Sequence, residues 1–156
     1  MTTLVGTRPS LHVTWDEASC WNRTGRVWRG LPSGALISAY PSDWRLTRLP
    51  VVCRAFELVR AIHDLKVTLL SFYRTRDYNA SVGGAEHSLH CEGLAFDAVP
   101  PAGIPVEQWH DEILALAETP AGQIIRGIGY GAEDKGNMVH IDCRSSDHLV
   151  RWTYPL

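Results

Sequence analysis

Apolar residues recur at helical spacing in two stretches of the chain. The first stretch follows Pro50, a residue suited to the first turn of a helix, and the second begins near Pro105. Charged and polar residues fill the positions between the apolar ones, so each stretch predicts a helix with one buried face. The apolar positions are Val52, Phe56, Val59 and Ile62 in the first stretch, and Val106, Trp109, Ile113 and Leu116 in the second.

Two short apolar runs between these helices predict strands. Residues 67–73 (VTLLSFY) are rich in β-branched and aromatic side chains, and residues 93–99 (GLAFDAV) end at a double proline. Residues 74–84 lie between the two runs and predict a loop or a short helix, which Gly83 and Gly84 would end.

The remaining segments complete an α+β pattern. Residues 123–131 (QIIRGIGYG) and 138–144 (MVHIDCR) predict two strands of a hairpin joined by a polar turn. Residues 1–50 are rich in Trp, Arg, Gly and Pro, which favours an irregular arm that either packs on the core or forms part of a substrate groove. We expect a small, mostly antiparallel sheet with packed helices. We also expect one domain over residues 1–156, with the helix and sheet core in residues 51–156.

Composition narrows the classes of function. The 156 residues carry a formal charge of -2, so no strong attraction to nucleic acid is expected. No apolar run approaches the roughly 20 residues that cross a bilayer, and the first residues lack the apolar region of a secretory signal. We therefore expect no membrane partner and a cytoplasmic location as synthesised. The four cysteines form no CxxC pair, which favours free thiols over a zinc ribbon or a redox motif.

Strand parity brings polar residues together. Alternate side chains of an extended strand share a face, so His140 and Asp142 point the same way, and Asp97 points away from its apolar neighbours. If the two strands are neighbours, Asp97 and His140 converge, and His90 in the preceding loop can complete a set of three. Two histidines and one carboxylate, with a fourth position open, form the ligand set of a catalytic zinc. The alternative is a hydrogen-bonded polar network without a metal.

The spacing of these residues matches a known pattern, in which serine, histidine, glycine, alanine and aspartate are followed much later by a histidine and an aspartate. This pattern resembles the zinc D-alanyl-D-alanine carboxypeptidase family of peptidoglycan peptidases, whose fold is shared with the hedgehog signalling domain. The family occurs often as phage endolysins and phage structural proteins. The resemblance covers roughly residues 67–144. The matching residues are Ser88, His90, Gly93, Ala95, Asp97, His140 and Asp142.

The resemblance implies a role for each site residue. His90, Asp97 and His140 would bind one zinc ion. Arg74 would bind a substrate carboxylate or stabilise the developing oxyanion, and Ser88 would contact the substrate. The substrate would be a peptidoglycan peptide.

The general base is open at this point. Related enzymes often carry an acid three residues before the last ligand, where this chain has Asn137. Asp134, or its neighbour Glu133, could take the proton instead, and we favour Asp134. Asp142 is the other candidate, although it could orient a ligand. His87 could donate a proton or bind metal, or it could be a solvent-facing loop residue.

Two functions follow from the resemblance. The first is a zinc peptidase that trims or cuts peptidoglycan stem peptides or cross-bridges. The second is a non-catalytic, zinc-containing module for cell-wall binding or phage assembly, motivated by Asn137. Either would be phage- or prophage-encoded and act on the wall after release or as part of a particle. The bond that is cut and the oligomeric state stay open.

Overall fold

A computed structural model describes residues 8–131 and 137–154 of the chain. Within them lie four α-helices, seven β-strands and two short 3-10 helices. The helices are Trp15–Ala18 (α1), Leu49–Ala61 (α2), Arg76–Ser81 (α3) and Val106–Ala117 (α4), and the 3-10 helices are Ser42–Trp44 and Gly122–Ile124. The strands are Cys20–Trp21 (β1), Leu36–Ser38 (β2), Thr68–Ser71 (β3), Ala95–Val99 (β4), Gly127–Tyr130 (β5), Val139–Asp142 (β6) and Val150–Thr153 (β7).

The main sheet has five strands in the order β3-β4-β6-β5-β7. Three of its pairings are antiparallel, and the fourth, between β5 and β7, is parallel. β1 and β2 form a separate two-stranded sheet in the N-terminal arm. The prediction of an α+β fold with a small, mostly antiparallel sheet is confirmed.

The two long helices form where the apolar periodicity places them. α2 has Pro50 in its first turn, and α4 follows directly after Pro105. Both helices share one hydrophobic core with β4, β5 and β6. Phe56 of α2 meets Phe96 of β4 with ring centroids 5.5 Å apart. Burying a side chain of this size contributes on the order of 2–3 kcal/mol, so this face of the sheet is held firmly.

The N-terminal arm packs on the core through an aromatic cluster. Tyr40 lies edge-on to Trp44, Phe72 and Tyr73, with ring centroids 5.9–6.3 Å apart. The Tyr40 hydroxyl donates a hydrogen bond to the carbonyl of Gly93, 2.9 Å away, just before β4. The arm therefore braces the turn that leads into the site.

Glycines in β5 make room for two large side chains. Gly127 lies opposite Asp142 of β6, and a Cβ at Gly127 would collide with the Asp142 carboxylate. Gly129 lies beside Trp152 of β7, and a Cβ there would come within 2.5–2.7 Å of the indole ring. Such distances are too short for a side chain, so β5 allows both groups to lie flat against it.

Two further expectations concern the cysteines and membranes. Cys20, Cys53, Cys91 and Cys143 are free thiols, and the first three are buried, as expected from their spacing. Among the described residues, no helix is long and apolar enough to cross a membrane.

Candidate metal centre

Two neighbouring strands and one turn deliver the site residues. β4 and β6 pair antiparallel, and their register sets Asp97 directly opposite His140. His90 lies in the turn before β4, where the Arg74 amide donates to the His90 carbonyl at 3.1 Å. The side chains of Phe96 and Ile141, which alternate with the site residues, enter the core. The face predicted from strand parity is therefore the face on which these groups meet.

Three ligand-type atoms converge at one point. His90 Nε2 lies 3.0 Å from Asp97 Oδ1 and 3.2 Å from His140 Nδ1, and His140 Nδ1 lies 2.8 Å from the same Asp97 oxygen. A tetrahedral zinc with bonds of 2.0–2.1 Å separates its ligand atoms by about 3.3 Å. All three residues are buried, with relative exposures of 2%, 4% and 6%. The group could hold one metal ion.

Neighbouring groups fix which ring nitrogens carry protons. His90 Nδ1 lies 2.6 Å from the carbonyl of Phe72, which can only accept, so Nδ1–H donates and Nε2 keeps a lone pair. His140 Nε2 lies 3.1 Å from an Asp142 oxygen and donates to it, which leaves a lone pair on Nδ1. With Asp97 Oδ1, three acceptor atoms then face one another. A cation between them is the arrangement that satisfies all three.

The electrostatics agree with this ligand chemistry. Burial opposes ionisation of Asp97, but the charges and hydrogen bonds of His90 and His140 hold the pKa of its carboxyl well below its usual value. Burial lowers the pKa of His90, against the opposing effect of the Asp97 charge. Burial also lowers the pKa of His140, but hydrogen bonds to Asp142 and Asp97 and their charges outweigh it and raise that pKa. A proton can therefore compete with a metal for His140 Nδ1.

Asp142 lies behind His140 and is held by Arg144. Arg144 donates from Nε to Oδ1 at 2.8 Å and from Nη2 to Oδ2 at 2.6 Å. The Arg144 backbone amide adds a third bond to Oδ1 at 3.2 Å. Burial opposes ionisation of Asp142, but the bonds from Arg144 and His140 lower its pKa to about 2. Asp142 is thus an anion whose two oxygens are both engaged.

Arg74 lies on the other side of the ligand set. Its Nη2 donates to Asp97 Oδ2 at 2.6 Å, and its Nε donates to Ser71 Oγ at 2.7 Å. A longer contact of 3.4 Å joins Nη1 to Asn79 Oδ1. A guanidinium has five N–H groups, so two remain after these bonds. Arg74 therefore holds Asp97 in place and keeps donors for a further anion.

An open cleft of about 610 Å³ gives access to the three ligands. Residues 82–88 form one wall, and Trp152 and Tyr154 lie on another. Ser88 lines the cleft, and its hydroxyl accepts from the His90 amide at 3.3 Å. No described residue of the N-terminal arm lines the cleft, so of the two expectations for the arm the packing role is favoured. The cleft also contains Arg74, Arg144, Glu86 and His87.

The sequence profile described as Peptidase M15 matches residues 27–142. This range is more than half of the chain and contains His90, Asp97 and His140. The chain belongs to the Peptidase M15 family. No curated protein shows significant similarity to it. Membership supports a metallopeptidase with a peptide-containing substrate, and it confirms the resemblance to zinc peptidases at the level of the family.

The candidates for a general base in this M15 family member differ in their position relative to the three-residue group. Asp134 and Glu133 lie outside the described residues. Asn137, two residues before β6, is exposed and has a positive φ of 52°. His87 is exposed and lines the cleft, and it is not a member of the buried three-residue group. Asp142 has both oxygens engaged, as described above.

Sequence reasoning missed three residues of the cleft: Arg144, Trp152 and Tyr154. The Trp152 ring lies 5.3 Å from the His140 ring, and β7 brings it there through its parallel pairing with β5. Alternating apolar and polar residues at positions 150–153 (VRWT) were the available signal, but four residues are too few to show which strand they pair with. All three residues follow the range that matches the family profile.

Proposed function

We propose that this M15 family member is a zinc-dependent peptidase that hydrolyses peptidoglycan stem peptides or cross-bridges, as a D-Ala-D-Ala carboxypeptidase or an endopeptidase. The observation that carries the proposal is the convergence of three buried acceptor atoms, within 3.2 Å of one another, beside an open cleft. This set has the composition of a catalytic zinc site, because a structural site would favour closed thiolate ligation. Family membership supports the peptide substrate.

His90, Asp97 and His140 would hold the zinc ion in this proposal. When bound, zinc supplies Lewis acidity, which acidifies a water molecule and polarises a carbonyl group. Asp142 accepts a hydrogen bond from His140 Nε2–H and so keeps Nδ1 directed at the ion. We assign Asp142 this orienting role rather than that of the base, because Arg144 engages both of its oxygens.

Arg74 and Ser88 would bind the substrate. The N–H groups of Arg74 that its three protein partners leave over can bond to a peptide carboxylate or to the carbonyl oxygen on which charge develops. Ser88 lies in the turn before β4 and lines the same cleft, so its hydroxyl can contact the peptide. The two residues approach the three-ligand group from different elements and can fix a peptide between them.

The proton acceptor would be Asp134, with Glu133 as the alternative. Both lie shortly before His140 in the sequence, and each carries a carboxylate, the type of group that can take the proton. D134N and E133Q, compared separately, test the choice. The true base is the residue whose loss lowers kcat at least a hundredfold with zinc affinity unchanged. If neither variant loses activity, neither Asp134 nor Glu133 is the base.

Digestion of purified cell walls and of defined muropeptides tests the function. We expect new peptide termini by mass spectrometry with the zinc-loaded protein, and no product after chelation or in H140A. H148A is the matched control, because His148 is an exposed histidine outside the cleft. Intact muropeptides after a day with zinc-saturated wild-type protein would count decisively against a peptidase.

Asn137 favours a second function, a non-catalytic wall-binding or phage assembly module. An amide cannot accept the proton that a peptidase must move. Zinc binding and muropeptide binding without any product would support this second function. We further propose that the protein is phage- or prophage-encoded and acts on the wall after release or within a particle. Lysis of host cells by expressed protein would support the first of these settings.

A further inference from the structure

Four side chains form a closed ring of contacts that includes one proposed ligand, His140, and three residues that pack around it. His140 bonds to Asp142 at 3.1 Å, and Arg144 grips both oxygens of Asp142 at 2.6 and 2.8 Å. The Arg144 guanidinium lies over the Trp152 ring at 5.1 Å from its centroid. The Trp152 ring in turn packs against His140, with centroids 5.3 Å apart. Every member of the ring therefore limits the movement of the next.

The backbone is shaped to hold this ring. β6 sets His140 and Asp142 on one face, and Arg144 follows two residues later. Gly127 and Gly129 provide the space in which Asp142 and Trp152 lie, because a side chain at either glycine would collide with them. β6 and β7, which are not neighbours in the sheet, thus both contribute side chains around one imidazole.

We propose that Arg144 is a positioning residue of the metal centre, which acts through Asp142 to hold His140 Nδ1 directed at the ion. The inference rests on the proposed zinc peptidase function. It goes beyond the family profile, because the match ends at residue 142 and includes neither Arg144 nor Trp152.

Holding the Asp142 carboxylate in one orientation requires two parallel N–H donors, which the planar guanidinium of an arginine provides. Nε and Nη2 bond to different oxygens of Asp142, which fixes the plane of the carboxylate as well as its position. The Asp142 oxygen nearest His140 then meets Nε2–H along a fixed direction. Without Arg144, the carboxylate can rotate about its side-chain bonds, and the imidazole can follow it. A lysine would keep the positive charge but would not set the plane.

Zinc affinity of the full chain, measured by competition with a chromophoric chelator, tests the proposal. Changes to groups behind a metal ligand typically cost 10–100-fold in affinity, so we expect R144M to bind zinc about tenfold more weakly than wild type. R144K should lose about threefold, since its charge remains. R151M is the matched control, because Arg151 is an exposed arginine of β7 that does not line the cleft. It should bind zinc as wild type does.

A double-mutant cycle separates action through Asp142 from a general loss of stability. If Arg144 acts through Asp142, D142N and R144M combined should weaken zinc binding no more than the larger single change. The ring ¹⁵N shifts of His140, recorded in metal-free protein at a pH at which this ring is neutral, give a second readout. Wild type should show a proton on Nε2, and R144M should show a mixture of tautomers. If R144M does not fold, R144K carries the same comparison.

The outcomes separate the inference from the function on which it rests. Zinc affinity within twofold of wild type in R144M, or losses that add in the double variant, would overturn the role of Arg144 alone. Failure of wild-type protein to bind zinc would overturn the proposed function and this inference with it. Tight zinc binding by wild type, with the graded losses given above, supports both.

Discussion

Replacing Gly129 by alanine tests whether the missing side chain at this position makes room for the indole of Trp152. The added Cβ would lie 2.5–2.7 Å from three atoms of the indole, about 1 Å inside ordinary contact. Trp152 must then move away from β5, which disturbs its packing on His140 and on Arg144. Overpacking of this kind costs about 1–3 kcal/mol in free energy of unfolding. A loss of 2 kcal/mol lowers Tm by about 4–8 °C in a domain of this size.

The assay is thermal or urea unfolding of G129A in two backgrounds, wild type and W152A. Gly129 has no positive φ, so alanine fits the backbone once the indole is gone. In the W152A background the same change should therefore stabilise the protein by about 0.4–1 kcal/mol, since alanine restricts the unfolded chain. The sign of the effect reverses between backgrounds. An equal loss of stability in both would refute the collision with Trp152.

Three further predictions concern the metal and one distant carboxylate. Zinc at about 100 times its Kd should stabilise the protein by about 2.7 kcal/mol, seen as a higher Tm that a chelator abolishes, whereas an unchanged Tm would argue against a native-state site. The pKa of His140 is raised, and a proton must leave Nδ1 before zinc can bind there. Zinc affinity should therefore fall about tenfold per pH unit below that pKa. Competition with a chelator between about pH 8 and 5 measures this dependence, and a zinc affinity that does not change with pH would contradict it. Burial opposes ionisation of Glu57, but bonds from Ser10 and His12 outweigh it and lower its pKa. Glu57 therefore stabilises the fold above its unfolded pKa of about 4.5, and this contribution disappears as pH falls through the lower folded value. In urea unfolding, E57Q should cost about 1 kcal/mol at pH 7 and progressively less as the pH falls below the unfolded pKa of Glu57, and a pH-independent difference would show that charge is not involved.

The pattern of apolar and polar residues predicted the strand face on which each of Asp97 and His140 lies, and it left the pairing of the two strands open. Asp97 and His140 alternate with core residues along their strands, and the antiparallel pairing of β4 with β6 follows the common arrangement of neighbouring strands. Parity then leaves only one face on which the two side chains can meet. His90 followed because its turn precedes β4 directly. Local periodicity therefore predicted the shared face, and the family resemblance supplied the ligand roles of the three residues.

The surroundings of the ligands could not be predicted in the same way. The proton on His90 is set by the carbonyl of Phe72, a backbone group that any residue would supply. Trp152 reaches His140 because β7 pairs parallel with β5, and four residues are too few to show which strand they pair with. Arg74 was expected to serve the substrate, and its bond to Asp97 depends on a distance that no motif encodes.

Because of its bond to Asp97, the Arg74 guanidinium would take part in both metal binding and peptide binding. Arg74 holds the outer oxygen of Asp97, and its unused donors belong to the cleft in which a peptide would lie. If zinc and peptide bind as proposed, a peptide carboxylate that draws Arg74 toward itself would change the charge around Asp97 and its freedom to move, and the bound ion would change how strongly Arg74 attracts that carboxylate. Thermodynamic reciprocity then requires the peptide and the ion to change each other's affinity by the same factor.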